Sequence, residues 1–355
     1  IIRTCTDTVN ESLLTRLTPQ NRRRHFVFPW MPLWCDTKDT LGYDAWERLK
    51  VPPNGQHPLY YALEHDNLFG KEEAMERLQI PFLGSVRWSA RWSAKGRVPP
   101  WESAYRWPSN RTILMSFAGS LEGSEDGRGV RKAIASACKA LNAPHVCTAI
   151  VQSKQDTAKS LRRVLWLKQR SVFCLEPPGM ARIRKGVIDA ILLGCIPILF
   201  IAKDEFTKLW PLHFATWGHG AARYFPPARV RRYGAGHVLA TLRQLYEGNY
   251  TIHDQAKVVP VDRPDEALKG DPWLTRPLKR PSVAVRRMQS TIATNAHKLV
   301  YSLDGEPPVA GDAVDVLLEA MLRVVRGPRD DCDRLGGGWR CEGLKLKGRA
   351  AEAIR

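Results

Sequence analysis

Between Arg111 and Phe200, four apolar runs alternate with three helix-like segments, and this alternation narrows the possible folds more than any other feature. The runs are "TILMSFAG", "HVCTAIV", "SVFCL" and "IPILF"; between them lie "GVRKAIASACKAL", "TAKSLRRVLWLKQ" and a helix expected over residues 183–193. A strand with one wet face alternates apolar and polar residues. These runs are apolar throughout, so both faces are expected to be covered. Such strands, joined by helices, build a parallel sheet with helices on its two faces, an α/β architecture.

The 355 residues leave room for two domains, and an apolar share of 44% supports sizeable cores. Residues 1–109 read as a separate N-terminal domain. It holds a short strand at "HFVFPW", helix fragments at "DAWERLK" and "GKEEAMERL", and many prolines and tryptophans. Residues 110–327 form the α/β domain, with further helices at "HVLATLRQLYEG" and "RRMQSTIATNAHKLVYSL" and an amphipathic terminal helix at "DAVDVLLEAMLRVVRG". Residues 328–355 read as a mobile basic tail. The tandem "RWSARWSA" is read as a surface loop or helix turn with part-buried tryptophans; the other reading is a platform that stacks on sugar rings or bases.

Lys and Arg number 54 against 36 Asp and Glu, a net charge of +18. That surplus favours an anionic partner: a nucleotide, an acidic polysaccharide, a nucleic acid or a membrane surface. The charge is spread along the chain without a basic block, which argues against a nucleic-acid-binding arm. The longest apolar run, residues 187–202, contains Asp189, Gly194 and Pro197 and is too short to span a bilayer. Because the chain begins with Ile1, it is read as a fragment or mature form, and a membrane association would come through an anchor upstream. The eight cysteines include two close pairs, Cys138 with Cys147 and Cys332 with Cys341, with neither zinc-ligand spacing nor a CxxC. One or two disulfides and reduced, part-buried thiols both remain open.

In open parallel sheets, ligands bind outside the carboxyl ends of the strands. Two loops meet that condition. One follows "SFAG", where Gly119 lets backbone approach a ligand and Arg131 enters the next helix. The other follows "SVFCL", where Pro177, Pro178 and Gly179 turn the chain into a helix that opens on Arg182, Arg184 and Lys185. A helix N-terminus is already electropositive, so cations there are unfavourable unless an anion sits among them. Amides with Arg and Lys at one edge suit a diphosphate, which Arg can clamp in bidentate fashion. Asp189 follows Lys185 by four residues. It is either an intrahelical ion-pair partner or a carboxylate for ribose or sugar hydroxyls. Cys174 and Cys195 flank the motif and read as small core residues, not nucleophiles.

"SVFCLEPPG" followed by "RKGVIDAILLGCIPILF" resembles the signature of the exostosin-like glycosyltransferases (family 47), nearest to the plant xyloglucan galactosyltransferase-like branch. The matching positions are Ser171, Phe173, Cys174, Leu175, Pro178, Gly179, Arg184, Lys185, Asp189, Ala190, Gly194, Cys195, Ile196 and Pro197. "RTILMSFAGS…GVRKAI" resembles the family's strand, glycine loop and Arg-bearing helix, and "RRRHFVF" its G-x-D-H-F segment, with His25 in register. The likeness runs over roughly residues 21–325. The chain departs from the pattern at Met180, Ala181 and Arg182, where the family has Gly-Asp-Ser/Thr after the prolines, and at Arg24, where it has Asp.

The resemblance implies a GT-B fold, two Rossmann-like domains with a ligand cleft between them. The C-terminal domain would hold a UDP-sugar and the N-terminal domain a polysaccharide or glycan acceptor. It implies an inverting transfer without a required metal or cofactor, in the Golgi lumen, by a type II membrane protein whose anchor is missing here. Donor binding would involve Gly119, Arg131, Ser171, Glu176, Gly179, Arg184, Lys185 and Asp189. Arg184, Lys185 and Arg131 would neutralise the leaving diphosphate, Glu176 would contact the sugar, and His25 is the candidate general base. Two readings from other classes compete: a homologue that binds donor without turning it over, suggested by Met180, and a basic nucleic-acid-binding protein, suggested by charge and the Arg-Trp repeat. The partner expected is a nucleotide sugar, not nucleic acid.

Overall fold

The computed structural model describes residues 81, 84–103, 111–122, 125–152, 158–179, 184–203, 210–214, 216–248, 278, 280–301 and 309–326. His25, the expected strand and helices before residue 80, Met180 to Arg182, and the tail beyond 328 lie outside them. The chain forms two compact units, one of residues 1–82, 209–215 and 314–355, the other of residues 83–208 and 216–313.

In chain order the helices and strands are α1 (Ala90–Ala94), α2 (Pro100–Ser103), β1 (Ile113–Gly119), α3 (Glu125–Leu141), β2 (Cys147–Val151), α4 (Ala158–Arg170), β3 (Ser171–Glu176), α5 (Lys185–Leu192), β4 (Ile196–Leu199), α6 (Pro211–Phe214), α7 (Gly218–Ala221), β5 (Arg223–Tyr224), α8 (Pro227–Glu247), α9 (Val283–Asn295) and α10 (Ala313–Arg326). The expected mixed α/β class holds. The five strands form one parallel sheet in the order β2-β1-β3-β4-β5. Met115 lies opposite Cys147 on one side and Phe173 on the other, and Phe173 opposite Ile196.

β1, β3 and β4 are buried at every position, as their unbroken apolar runs required. β2 differs: it is an edge strand, half-buried over most of its length, with Val151 52% exposed. Its apolar run is read as fully covered only if a strand lies on each side of it, and here one side is open. β5 was not expected; two residues, Arg223 and Tyr224, carry no periodicity. Helix α8 begins earlier than "HVLATLRQLYEG" suggests, at Pro227, and is broken at Gly234 (φ 75°). Helix α9 stops at Asn295 and passes into a 3-10 turn, Ala296–Leu299.

Helix α4 packs against β1, β3 and α5, while α3 packs against β2 and α8. Ile113, Ala118, Val164 and Leu167 form one cluster between α4 and the sheet. Helix α5 ends as Gly194 predicted: Gly194 is left-handed (φ 70°), its N–H bonds the Ile191 carbonyl, and the Cys195 N–H bonds the Ala190 carbonyl. Cys195 then forms a disulfide with Cys174 in the middle of β3, and Cys138 pairs with Cys147. No cysteine among the described residues is free, so disulfides prevail over reduced thiols here.

At the amino edge of the sheet, buried Arg111 donates to the carbonyls of Lys168, Ser171 and Leu193, tying the ends of α4 and α5 to β1. Burial pushes its guanidinium down to about 9, still charged at neutral pH and well placed at two helix C-termini. The Arg-Trp repeat is packed structure. Ser89 caps α1, Trp88 is 8% exposed, and its ring meets Trp92 at 5.3 Å and Trp101 at 5.7 Å, edge to face. In the first unit, the rings of Trp210 and of Phe214 in α6 lie 5.5 Å apart, tilted by 32°. Among the described residues no helix is long and apolar enough to cross a membrane.

Candidate functional site

The strand order creates the site. The chain leaves β1 toward β2 on one side, then crosses to β3 on the other, so the topological switch point falls between β1 and β3. At such a point the two following loops diverge to opposite faces and leave a crevice outside the carboxyl ends of the strands. The loops here are those after Gly119 and after Glu176, the two singled out from sequence.

Arg131 holds them together. It is 3% exposed on α3. Its Nη1 donates to the Ser120 carbonyl at 2.6 Å and the Glu122 carbonyl at 2.9 Å, on the first loop. Its Nε donates to the Pro178 carbonyl at 2.8 Å and its Nη2 to the Pro177 carbonyl at 3.4 Å, on the second. A guanidinium has five N–H donors; four go to backbone. Burial, aided by Arg184 and opposed by Glu176, moves its pKa down to about 10, so it stays charged.

The second loop leads to α5, whose N-cap is Arg184, extended (φ −134°, ψ 159°), with no side-chain cap and no acid in the first turn. Arg184 is the cation across the crevice mouth. Its Nη2 donates to Glu176 Oε2 at 3.2 Å, and a Cβ on Gly119 would stand 3.3 Å from its Nη1. Its Nε is buried without a hydrogen-bond partner. Glu176, 4% exposed at the end of β3, also pairs with Lys168, whose Nζ reaches the Gly186 carbonyl at 3.1 Å. Gly186 leaves room for this carboxylate: a Cβ there would sit 2.6 Å from Glu176 Oε2 and displace it.

One turn along α5, Asp189 is 5% exposed and accepts from the Ser85 amide, from Ser85 Oγ at 3.2 Å and from Lys185 Nζ at 3.1 Å. Lys185 also donates to Ser85 Oγ. The intrahelical ion pair is therefore present, and Asp189 in addition docks the 84–89 segment onto α5. Gly84 permits this approach: a Cβ there would come 2.7 Å from Leu192 Cδ1. The Lys185 side chain is 44% exposed. Across the two networks four cations, Arg131, Lys168, Arg184 and Lys185, face two carboxylates, Glu176 and Asp189. A surplus of positive charge at a switch-point crevice favours an anion.

The structure thus brings Gly119, Arg131, Glu176, Gly179, Arg184, Lys185 and Asp189 to the carboxyl end of β1 and β3. It does not bring Ser171 there. Ser171 begins β3, at the opposite edge; it is fully buried and its hydroxyl donates to the Leu167 carbonyl at 2.7 Å. Its place in the motif reflects the α4–β3 junction. Sequence reasoning missed Lys168 and Ser85. Lys168 did leave a signal: with Val164 and Leu167 it lies on the buried stripe of α4, where a lysine needs a partner. Ser85 left none. Among the described residues no group of three or more His, Cys, Asp or Glu side chains is arranged to hold a metal ion.

Residues 75–218 match the Exostosin GT47 domain. The chain is 27% identical over 232 residues to the probable xyloglucan galactosyltransferase GT15 of Arabidopsis thaliana, covering 62% of this chain and 40% of that protein. It is 34% identical over 109 residues to the probable xyloglucan galactosyltransferase GT19 of the same plant, 28% of this chain and 23% of the relative. Over 90 residues it is 33% identical to xyloglucan-specific galacturonosyltransferase 1, also from Arabidopsis thaliana, 25% of this chain and 13% of the relative. The chain thus spans two fifths or less of the length of these curated relatives. The resemblance to exostosin-like glycosyltransferases, and to their plant xyloglucan branch, is borne out.

Proposed function

From this exostosin-like likeness and the cationic switch-point crevice, we propose that the chain is a glycosyltransferase that moves a sugar from a UDP-sugar to a polysaccharide acceptor. The observation that carries the reading is Arg184. It is a helix N-cap with a buried, unpartnered Nε, lying over Gly119 at the switch point, among cations that outnumber their carboxylates. A diphosphate placed there would meet Arg184, Lys185 and the amide end of α5.

In the reaction, an acceptor hydroxyl attacks the anomeric carbon as the bond to the diphosphate oxygen breaks. The electron pair leaves with the diphosphate, and the hydroxyl proton passes to a general base, for which His25 is the candidate. Negative charge grows on the leaving diphosphate, so fixed cations stabilise the transition state more than the ground state. Arg131 serves this site by holding both loops in place, and Gly119 and Gly179 by letting them approach the ligand. The reading extends to a GT-B arrangement, with the unit that carries the sheet on the donor side and the other unit on the acceptor side, to inversion at the anomeric carbon without a metal, and to the Golgi lumen by way of an upstream anchor. The two disulfides fit an oxidising lumen. The relatives' names point to xyloglucan as acceptor and galactose or galacturonic acid as the sugar.

Titration calorimetry with UDP, GDP and UDP-sugars tests this. Wild type should bind UDP, and Arg184→Ala/Lys185→Ala should weaken it about a hundredfold, the loss of two charged hydrogen-bond donors. Folded wild type that binds no nucleotide would refute the reading. Transfer of labelled galactose or galacturonic acid to xyloglucan separates a working enzyme from a homologue that only binds.

A further inference from the structure

We infer that Lys168 is a positioning residue for the donor: it neutralises Glu176 from behind, so that the charge of Arg184 stays available to the diphosphate. The inference rests on the reading of the crevice as a donor site. Lys168 is 3% exposed, too deep to meet a ligand, and its ammonium contacts the Glu176 carboxylate and the Gly186 carbonyl. Its backbone carbonyl is held by Arg111 at the far edge of the sheet. The side chain therefore runs from the amino edge toward the carboxyl end to reach one acid.

A methionine or leucine at this position would complete the apolar stripe of α4 without burying a charge. The lysine is explained by what Glu176 would otherwise do. With Arg184 as its only cationic partner, Glu176 would be that arginine's full counter-ion, and an incoming diphosphate would meet a neutral pair. With Lys168 in place the three groups carry one net positive charge. Two of them are buried, with side chains 4% and 2% exposed, whereas Arg184 is 22% exposed at the crevice. The free charge is thus presented on the member that faces the ligand. The carboxylate also fixes Nη2 of Arg184, leaving the unpartnered Nε as a donor already oriented. Glu176 on this account orients a cation and does not touch the sugar.

The test is a pair of variants of the full chain, titrated with UDP and with uridine. Lys168→Met should weaken UDP binding about tenfold and leave uridine unchanged, a coupling of the size seen between interacting charges. Lys168→Met/Glu176→Gln, which removes both buried charges, should restore UDP affinity to within about twofold of wild type. Recovery on removing a second group is what a merely structural role does not produce. If Lys168→Met binds UDP as wild type does, or if the double variant stays as weak as the single one, the inference is overturned while the donor site stands. Should Lys168→Met fail to fold, the double variant alone decides, because a tenfold loss in it refutes the charge argument. Wild type that binds no UDP removes the donor reading and this inference together.

Discussion

Gly186 offers the sharpest check on the geometry of the crevice, because two opposing effects of known size meet there. It is the second residue of α5, and none of its backbone angles demands a glycine. On propensity alone, Gly186→Ala should stabilise the helix by about 1 kcal/mol. Against this, the new Cβ would stand 2.6 Å from Glu176 Oε2 and 3.3 Å from Arg184 Nη2. Ordinary contact begins at 3.4 Å, so the carboxylate must withdraw by about 0.8 Å. That carboxylate is held on both sides by cations in a nearly dry site, where each charged hydrogen bond is worth about 1.5–3 kcal/mol.

Partial loss of two such bonds outweighs the propensity gain, and we expect a net destabilisation of about 1–3 kcal/mol. In a Glu176→Ala background only the mobile Arg184 Nη2, at 3.3 Å, still borders the methyl group, and Gly186→Ala should stabilise by up to about 1 kcal/mol. The assay is urea unfolding of the four proteins of the cycle, with the shift in midpoint read in each background. Stabilisation by Gly186→Ala in wild type, or equal effects in both backgrounds, would show that Glu176 does not fill the space beside the helix start.

Other expectations follow from the same structure. Replacing Cys174 and Cys195 together by alanine opens a link with a sequence separation of 21 and should cost about 3 kcal/mol, read by denaturation with and without reductant; no change would mean the link does not form. Arg111→Met should lower stability by about 3 kcal/mol, since it strips three buried carbonyls of their donor, yet leave UDP affinity of the folded protein unchanged because Arg111 lies at the opposite edge of the sheet. Burial, with Arg229 and Lys298 respectively, holds His237 and His297 below the ordinary histidine range. The unfolded chain therefore takes up protons near pH 6.5 that the folded chain refuses, so stability is full above that pH and falls below it. Melting temperature should drop between pH 7 and 5, with a shallower drop in His237→Gln.

The sheet was legible because its signal is redundant: β1, β3 and β4 are buried on both faces, and apolar runs bounded by helices allow little else. The two loops at the switch point were legible for the same reason, since a parallel sheet fixes which strand ends carry ligands. β2 was misjudged because an apolar run does not say whether a neighbour lies on both sides. Ser171 was misplaced because a motif joins residues in sequence, and a six-residue strand carries its two ends to opposite edges of the sheet.

The cations at the start of α5 show the limit more clearly. Read along the chain, Arg184 and Lys185 have no visible counter-charge except Asp189, so an external anion is the simplest compensation. In the fold, Lys185 is paired with Asp189, and Arg184 with a glutamate that precedes it by eight residues across the proline turn. If those pairs were all, the need for an external anion would vanish. It persists because Lys168, at the end of the preceding helix, contacts the same carboxylate, and Arg131 on α3 adds its charge to that field while bonding only backbone carbonyls. The proposed preference of the crevice for anions rests on the number of charges that the fold gathers around Glu176, not on the basic helix start alone. A substitution that alters that number without touching Arg184 should therefore change diphosphate binding as surely as one that removes it.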